Sequence, residues 1–292
     1  MYPGFLVLVA FAVTMLVWNG ALSFTSFPGF GQAKWVGVKN YNSLLDNPDF
    51  WESLLHSTFY IIPMALIPTA LAVFGAVAIF DAFRGRLARS FFPWVRGAFY
   101  LPQVIPIAIA GTIWGWMLSR DGLLNQILRG LGAVNPTTNW LATPISALVS
   151  VSLFMVWLQF GFSFVIFLAG LSRLDPATVE AASLDGANWW QRFCFIALPS
   201  LRPEVIVVLI ITAIAGFKVF APVVYLTMGG PRGSTASVSS FAIDSFFGGG
   251  SIGRGSAATT LLAIAIGVVA VVIAVLFVRV TRRDGGLSGD GS

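Results

Sequence analysis

Long apolar runs alternate with short polar ones along the chain. A bilayer core about 30 Å thick needs about 20 helical residues at about 1.5 Å each. Six runs reach that length: Pro3–Phe24, His56–Phe80, Ala98–Leu118, Pro144–Leu171, Pro203–Met228 and Ser256–Val280. Each is expected as a membrane-spanning helix, so the fold class is an all-α membrane protein with six transmembrane helices. Pro63, Pro68, Pro102, Pro106 and Pro222 lie in or near the ends of these runs. They predict kinks, because proline lacks an N–H and its ring crowds the preceding turn. Neighbouring helices or a water-filled path would satisfy the freed carbonyls. No internal repeat is visible, which counts against transporter folds built on inverted repeats.

The polar stretches carry structure of their own. "WVGVKNYNSLLDNPDFWESLLHS" alternates aromatic and polar residues and is expected to pack as a small cap. "SRDGLLNQILRGLG" places Leu123, Leu124, Ile127, Leu128 and Leu131 at helical spacing, which predicts a short interfacial helix. "GGPRGSTASVSS" is rich in turn residues, and the tail "DGGLSGDGS" has linker composition. The first run lacks a basic n-region and a clear A-x-A site, so a retained span is expected rather than a cleaved signal peptide.

Composition sharpens this picture. Of 292 residues, 57% are hydrophobic and 10% charged, against roughly 25% charged in a soluble domain. The net charge of +5 suits arginines at the cytoplasmic mouths of spans better than a nucleic-acid surface. Arg84, Arg86, Arg89 and Arg96 follow the second span, Arg173, Arg192 and Arg202 the fourth, and Arg279, Arg282 and Arg283 the sixth. The opposite loops hold Lys34, Lys39, Arg120, Arg129, Arg232 and Arg254 over more residues. The first side, with both termini, is therefore expected to be cytoplasmic. Cys194 is the single cysteine, so no intramolecular disulfide can form. His56 is the single histidine and has no metal-ligand context. None of Lys34, Lys39 and Lys218 sits in a GxxxxGK[ST] loop. The chain is expected to be no enzyme: it has no ATP-binding motif and no catalytic set, and energy must come from another subunit.

"TVEAASLDGANWWQRF" interrupts the apolar pattern between the fourth and fifth spans. Asp175 suits a helix N-cap and Pro176 the first helical position. Ala177, Ala181 and Leu184 then form one small apolar face. Gly186 breaks the helix, and Trp189, Trp190 and Phe193 follow on a second amphipathic stretch expected to be exposed. Two readings fit: a surface that docks a partner protein, or an interfacial helix lying in lipid headgroups. Glu180 and Asp185 favour a protein, since anionic headgroups repel them.

Glu180-Ala181-Ala182, Asp185-Gly186-Ala187, Ile196, Leu198-Pro199 and Pro203 resemble the "EAA...DGA...I.LP...P" signature of binding-protein-dependent ABC importer permeases. "YLPQVIPIAIAGTIWGWMLSRDGLLNQIL" and "FAPVVYLTMGGPRGSTASVSSFAIDSFF" are similar to the third span and fifth-span exit of the carbohydrate-uptake branch, the latter through "LT.GGP..ST". The likeness runs from about Leu22 to Arg283 and points to the maltose-permease-like member of a pair. It implies a type I permease fold: a first helix over 1–24, an extracytoplasmic loop over 25–55, a core over 56–283 with a coupling segment at 175–200, and a flexible cytoplasmic tail over 284–292. The implied function is half the translocation pathway of an ATP-driven sugar importer in a bacterial or archaeal cytoplasmic membrane. The implied partners are a second permease, two cytoplasmic ATPase subunits that bind ATP and Mg, and an extracytoplasmic solute-binding protein; no cofactor resides in this chain. Glu180, Ala181, Ala182, Asp185, Gly186, Ala187 and Trp189 would couple to the ATPase, with Gly186 as hinge. The rival readings are an ion-driven secondary transporter and a non-translocating assembly subunit.

Ionisable groups inside spans mark function. Lys218 lies ten residues before the end of the fifth run, about 15 Å into the bilayer. It either faces a watery path, pairs with a neighbouring subunit or snorkels. In the fourth span Gln159 and Ser163 can hydrogen-bond sugar hydroxyls, beside aromatic Phe162. Gln159, Phe162, Thr212, Gly216 and Lys218 also fall at or next to positions that look substrate-lining in the maltose-type permease.

Overall fold

The computed structural model describes residues 2–82, 86–132 and 138–285. Arg84 and tail residues 286–292 lie outside that range. In chain order the elements are α1 (Tyr2–Ser23), a two-strand ribbon β1 (Thr25–Ser26) and β2 (Lys34–Trp35), α2 (Lys39–Leu45), α3 (Pro48–Ala82), α4 (Arg86–Val104), α5 (Ile107–Met117) and α6 (Leu123–Gly130). Then come α7 (Pro144–Leu171), α8 (Pro176–Leu184), α9 (Trp189–Arg192), a π-helical turn (Phe193–Ala197), α10 (Leu198–Ser200), α11 (Arg202–Phe217), α12 (Ala221–Thr227), α13 (Val238–Phe247) and α14 (Ile252–Gly285). Among the described residues four helices are long and apolar enough to cross a membrane, or up to six if each bent pair counts as one span.

Three expectations change. The loop over 25–55 is partly helical, because α3 starts at Pro48 rather than His56. Asn47 explains the early start: its Oδ1 accepts from the Asp49 and Phe50 amides at 2.8 and 3.3 Å, capping the first turn ahead of a proline. The third run is broken: its two parts, Pro93–Val104 and Ile107–Met117, meet at 89°. Pro106 sets this corner, since the residue before a proline is pushed out of the helical region. The fifth run breaks as well, between Phe217 and Ala221. Pro222 cannot donate to the Lys218 carbonyl, and its ring clashes there. By contrast, α3 runs through Pro63 and Pro68 without interruption.

The bundle centres on α3, packed between α7 and α11, and its core lies in three tiers. At the α8 end, Phe164, Phe167 and Leu171 of α7 meet Ala72 and Ala76 of α3 and Phe193 and Leu201. The middle tier joins Tyr60, Phe154, Met155, Val219 and Val223. At the opposite end Leu44, Phe50, Phe217, Ala242, Ala257 and Ala258 close the core. Helices α4 and α7 approach closely at Gly161: a Cβ there would stand 2.0 Å from the Phe99 carbonyl oxygen.

Helix α1 is apolar all round and exposed through its membrane-length window. It holds the body by its last turn. Asn19 Nδ2 donates to Thr260 Oγ1 at 3.0 Å and Thr259 Oγ1 at 3.2 Å on α14, and the Ser23 and Tyr41 hydroxyls are 2.6 Å apart. In α6 the expected apolar stripe is only partly used: Leu123, Ile127 and Leu131 are exposed while polar Asn125 is fully buried. Asn125 organises the neighbouring loop, donating to the Arg120 and Thr138 carbonyls at 2.8 Å each and accepting from Trp140 Nε1 at 3.0 Å.

Candidate functional site

Two regions concentrate the predicted residues: the α8–α9 corner at one end of the bundle, and a cavity at the breaks of the third and fifth runs. The corner folds as its sequence dictates. Asp175 Oδ1 accepts from the Ala177 amide at 2.9 Å, so α8 starts at the proline. Gly186 adopts φ +81°, where only glycine avoids a Cβ penalty. Its amide and that of Ala187 donate back to the Ser183 and Ala182 carbonyls, closing the end of α8. Asn188 and Gln191 form a reciprocal capping box that starts α9.

One side of this corner is anchored and the other is bare. Val179 is buried. Arg192 Nη2 meets Asp81 Oδ2 of α3 at 3.1 Å, with both side chains less than one-fifth exposed, and Arg192 Nη1 donates to the Ala187 carbonyl at 2.7 Å. The opposite face presents Ala177, Glu180, Ala181, Leu184, Asp185 and Gly186 to the exterior. Leu184 is 88% exposed. The expectation of an exposed aromatic trio is corrected. Phe193 is buried, and half-buried Trp189 stacks on it at 5.4 Å and meets Phe74 of α3 edge-on at 5.5 Å. Only Trp190 is largely exposed, at 58%. The reason is the π-turn over Phe193–Ala197, which carries Phe193 back into the α3–α7 tier.

The Asp81–Arg192 pair was not apparent in the sequence, although an acid at the end of an apolar span was its available signal. Removing one member breaks a largely desolvated pair, and breaking fully buried pairs costs about 3–5 kcal/mol. Arg192→Gln is expected to destabilise the chain by about 2 kcal/mol, with a coupling energy of about 1–3 kcal/mol to Asp81→Asn. A double-mutant cycle on thermal unfolding in detergent measures it. A second pair joins Arg173 to the buried carboxylate of Glu204 at the start of α11.

The cavity has a volume of about 590 Å³. Gln103, Ile105 and Pro106 from the first break, Lys218, Phe220 and Pro222 from the second, and Met155 and Gln159 of α7 help line it. The structure thus brings Gln159 and Lys218 together and adds Gln103, whose place between two prolines of one span, Pro102 and Pro106, was its signal. It leaves the other predicted pathway residues outside this lining. The Ser163 and Thr212 hydroxyls are fully buried and donate to their own helices, at Gln159 O and Val208 O. Gly216 lets α11 approach α3, where a Cβ would stand 3.0 Å from Ile61 Cα. Phe162 packs against the α8-end tier.

Beyond the cavity lies a larger cleft of about 1000 Å³ at the α13 end, bordered by Asp49, Glu52, Arg232, Asp244 and Arg254. Phe220 lines both spaces. The 228–236 loop beside it is held rigid: Thr227 and Thr235 hydroxyls lie 2.7 Å apart, and Tyr60 donates to the Thr235 carbonyl at 2.9 Å. His56 Nδ1 is 3.1 Å from the Ala236 carbonyl, a packing contact; among the described residues no cluster of three or more metal-ligating side chains occurs.

Comparison with known proteins agrees with this architecture. The chain is 35% identical to the trehalose/maltose transport system permease protein MalF of Thermococcus litoralis, over 77% of this chain and 74% of that one. It is 32% identical to the probable ABC transporter permease protein YesP of Bacillus subtilis, over 86% of this chain and 80% of that one. Among solved structures, a chain of a bacterial ABC transporter involved in the import of the acidic polysaccharide alginate superposes with a TM-score of 0.76 at 21% identity, covering 94% of this chain and 96% of that one, which establishes the likeness of fold. Residues 82–283, the stretch that holds the corner and both breaks, match one family model, and the chain belongs to that family, the binding-protein-dependent transport system inner membrane components.

Proposed function

We propose that this chain forms half of the translocation pathway of an ATP-driven sugar importer, coupled at its α8–α9 corner to a cytoplasmic ATPase. The observation that carries the reading is the corner itself. It is bolted to α3 through Asp81–Arg192 on one side and presents Glu180, Ala181, Leu184 and Asp185 exposed on the other. A force applied there reaches the helix that packs against both sides of the cavity wall. Ala182, Gly186 and Ala187 keep the corner compact, and Trp189 fixes the angle of α9 against Phe74. The bias of loop arginines supports a cytoplasmic side for this corner and both termini, with the cleft near Arg232 and Arg254 facing the binding protein.

In this reading six spans are counted by joining each bent pair. A second permease supplies the other half of the pathway, and two ATPase subunits close on the paired corners. ATP binding opens the cavity outward, the binding protein releases its sugar, and hydrolysis resets the path. The sugar class follows from relatives such as the trehalose/maltose permease protein. Gln159 and Lys218 contact substrate, while Phe162, Ser163, Thr212 and Gly216 support the wall behind them.

Gentle affinity purification from the native membrane is the first test. Co-purification of an ATPase and a second permease supports the importer; a chain recovered folded and alone overturns it. Uptake that survives ATP depletion with an ion gradient held, and collapses with a protonophore, would instead establish a secondary transporter. Gln159→Ala and Lys218→Ala are each expected to lower ATP-driven uptake about tenfold, the loss of one or two polar contacts. Unchanged uptake in both would favour an assembly subunit.

A further inference from the structure

We infer that the mid-span cavity takes a carbohydrate bearing a negatively charged group, and that Lys218 selects it; this rests on the transport reading above. Lys218 ends α11, its amide bonded to the Ile214 carbonyl at 3.1 Å, and its side chain is exposed along the cavity. Among the described residues no acidic side chain lines that space. The two acids at the spans' α8 end are already engaged, Asp81 with Arg192 and Glu204 with Arg173. Lys218 has no hydrogen-bond or ion-pair partner for its ammonium among the described residues. An ionisable side chain at bilayer depth is rare and marks a substrate or ion pathway, where this ammonium can meet a charge of opposite sign. The surrounding polar groups are neutral amides. Gln103 Nε2 is bound to the Leu158 carbonyl at 2.7 Å, which leaves its oxygen for donors, and Gln159 lines the same space. One cation with two amides suits an anionic group on a hydroxyl-rich ring. The volume of about 590 Å³ falls within the about 300–1,000 Å³ of small-molecule sites.

The test reads the charge of the cavity in the assembled importer. Cys194→Ser removes the single native cysteine, and Ala215→Cys places a thiol on the cavity wall one turn before Lys218. The thiol is modified with a negatively charged sulfonate methanethiosulfonate and with its positively charged trimethylammonium analogue, with Lys218 present or as Lys218→Gln. The anion-to-cation rate ratio is expected to fall about tenfold or more on Lys218→Gln, one unit charge acting across a few ångströms of poorly screened space, and to be retained in Lys218→Arg. A ratio that does not move means that the partner permease already neutralises Lys218; this overturns the inference and leaves the importer reading intact. A thiol that neither reagent reaches in any nucleotide state removes the watery cavity, and both readings fall with it. Protection by galacturonate, galactose 6-sulfate or galactose 6-phosphate beyond that by galactose identifies the charged group as carboxylate, sulfate or phosphate. Equal protection by galactose overturns the selectivity.

Discussion

Gly186→Pro is expected to lower ATP-driven uptake by about tenfold or more, while the chain still accumulates in the membrane. Proline fixes φ near about −65°, whereas Gly186 sits at +81°. The substitution also deletes the amide that donates to the Ser183 carbonyl at 3.2 Å. The end of α8 must therefore open and the corner change its angle. The damage stays local, because Val179, Phe193 and the Asp81–Arg192 pair hold each flank independently. ATP hydrolysis by the complex is expected to continue without responding to the loaded binding protein. Gly186→Asn serves as the control, since asparagine tolerates positive φ at modest cost and should keep most of the uptake. Wild-type uptake in Gly186→Pro would show that the corner transmits nothing.

The second large effect is on the fold. Gly161→Ala is expected to destabilise the chain by about 3 kcal/mol, the upper part of the range for an overpacked core. The new methyl would lie 2.0 Å from the Phe99 carbonyl oxygen and 3.0 Å from Tyr100 Cα. Both are backbone atoms of α4, so no rotamer change relieves the clash and the α4–α7 contact must widen. Gly75→Ala provides the contrast: its nearest neighbour would be a Phe164 ring atom at 3.7 Å, an ordinary contact. Thermal unfolding of the two variants in the same detergent compares them directly. A Gly161→Ala protein as stable as Gly75→Ala would show that α4 is not seated as described.

Much of this was legible in the chain. Apolar runs of bilayer length located the helices, and Asp175, Pro176 and Gly186 marked the corner's start and turn. These are local signals: a cap, a fixed φ and a Cβ-free residue act within a few positions. What the sequence did not disclose depends on atoms far apart along the chain. Nothing near Phe193 says that a π-turn buries it under α3, and nothing near Asp81 names Arg192 as its partner. Ser163 and Thr212 looked available because polar residues in a span invite a functional reading; each instead satisfies a carbonyl in its own helix. In the sequence alone each of the prolines suggests a kink. The structure separates them: Pro63 and Pro68 are absorbed by α3, whereas Pro106 and Pro222 end helices.

That difference has an evolutionary consequence. The two interruptions that border the cavity come from ring-closed residues, Pro106 and Pro222, acting on their own backbone, and not from the amide and ammonium groups beside them. The scaffold's shape and the lining's chemistry are therefore separable properties. Residues such as Gln159 and Lys218 can be exchanged without moving the corners that frame them. A lineage can retailor what the path accepts while inheriting its architecture unchanged.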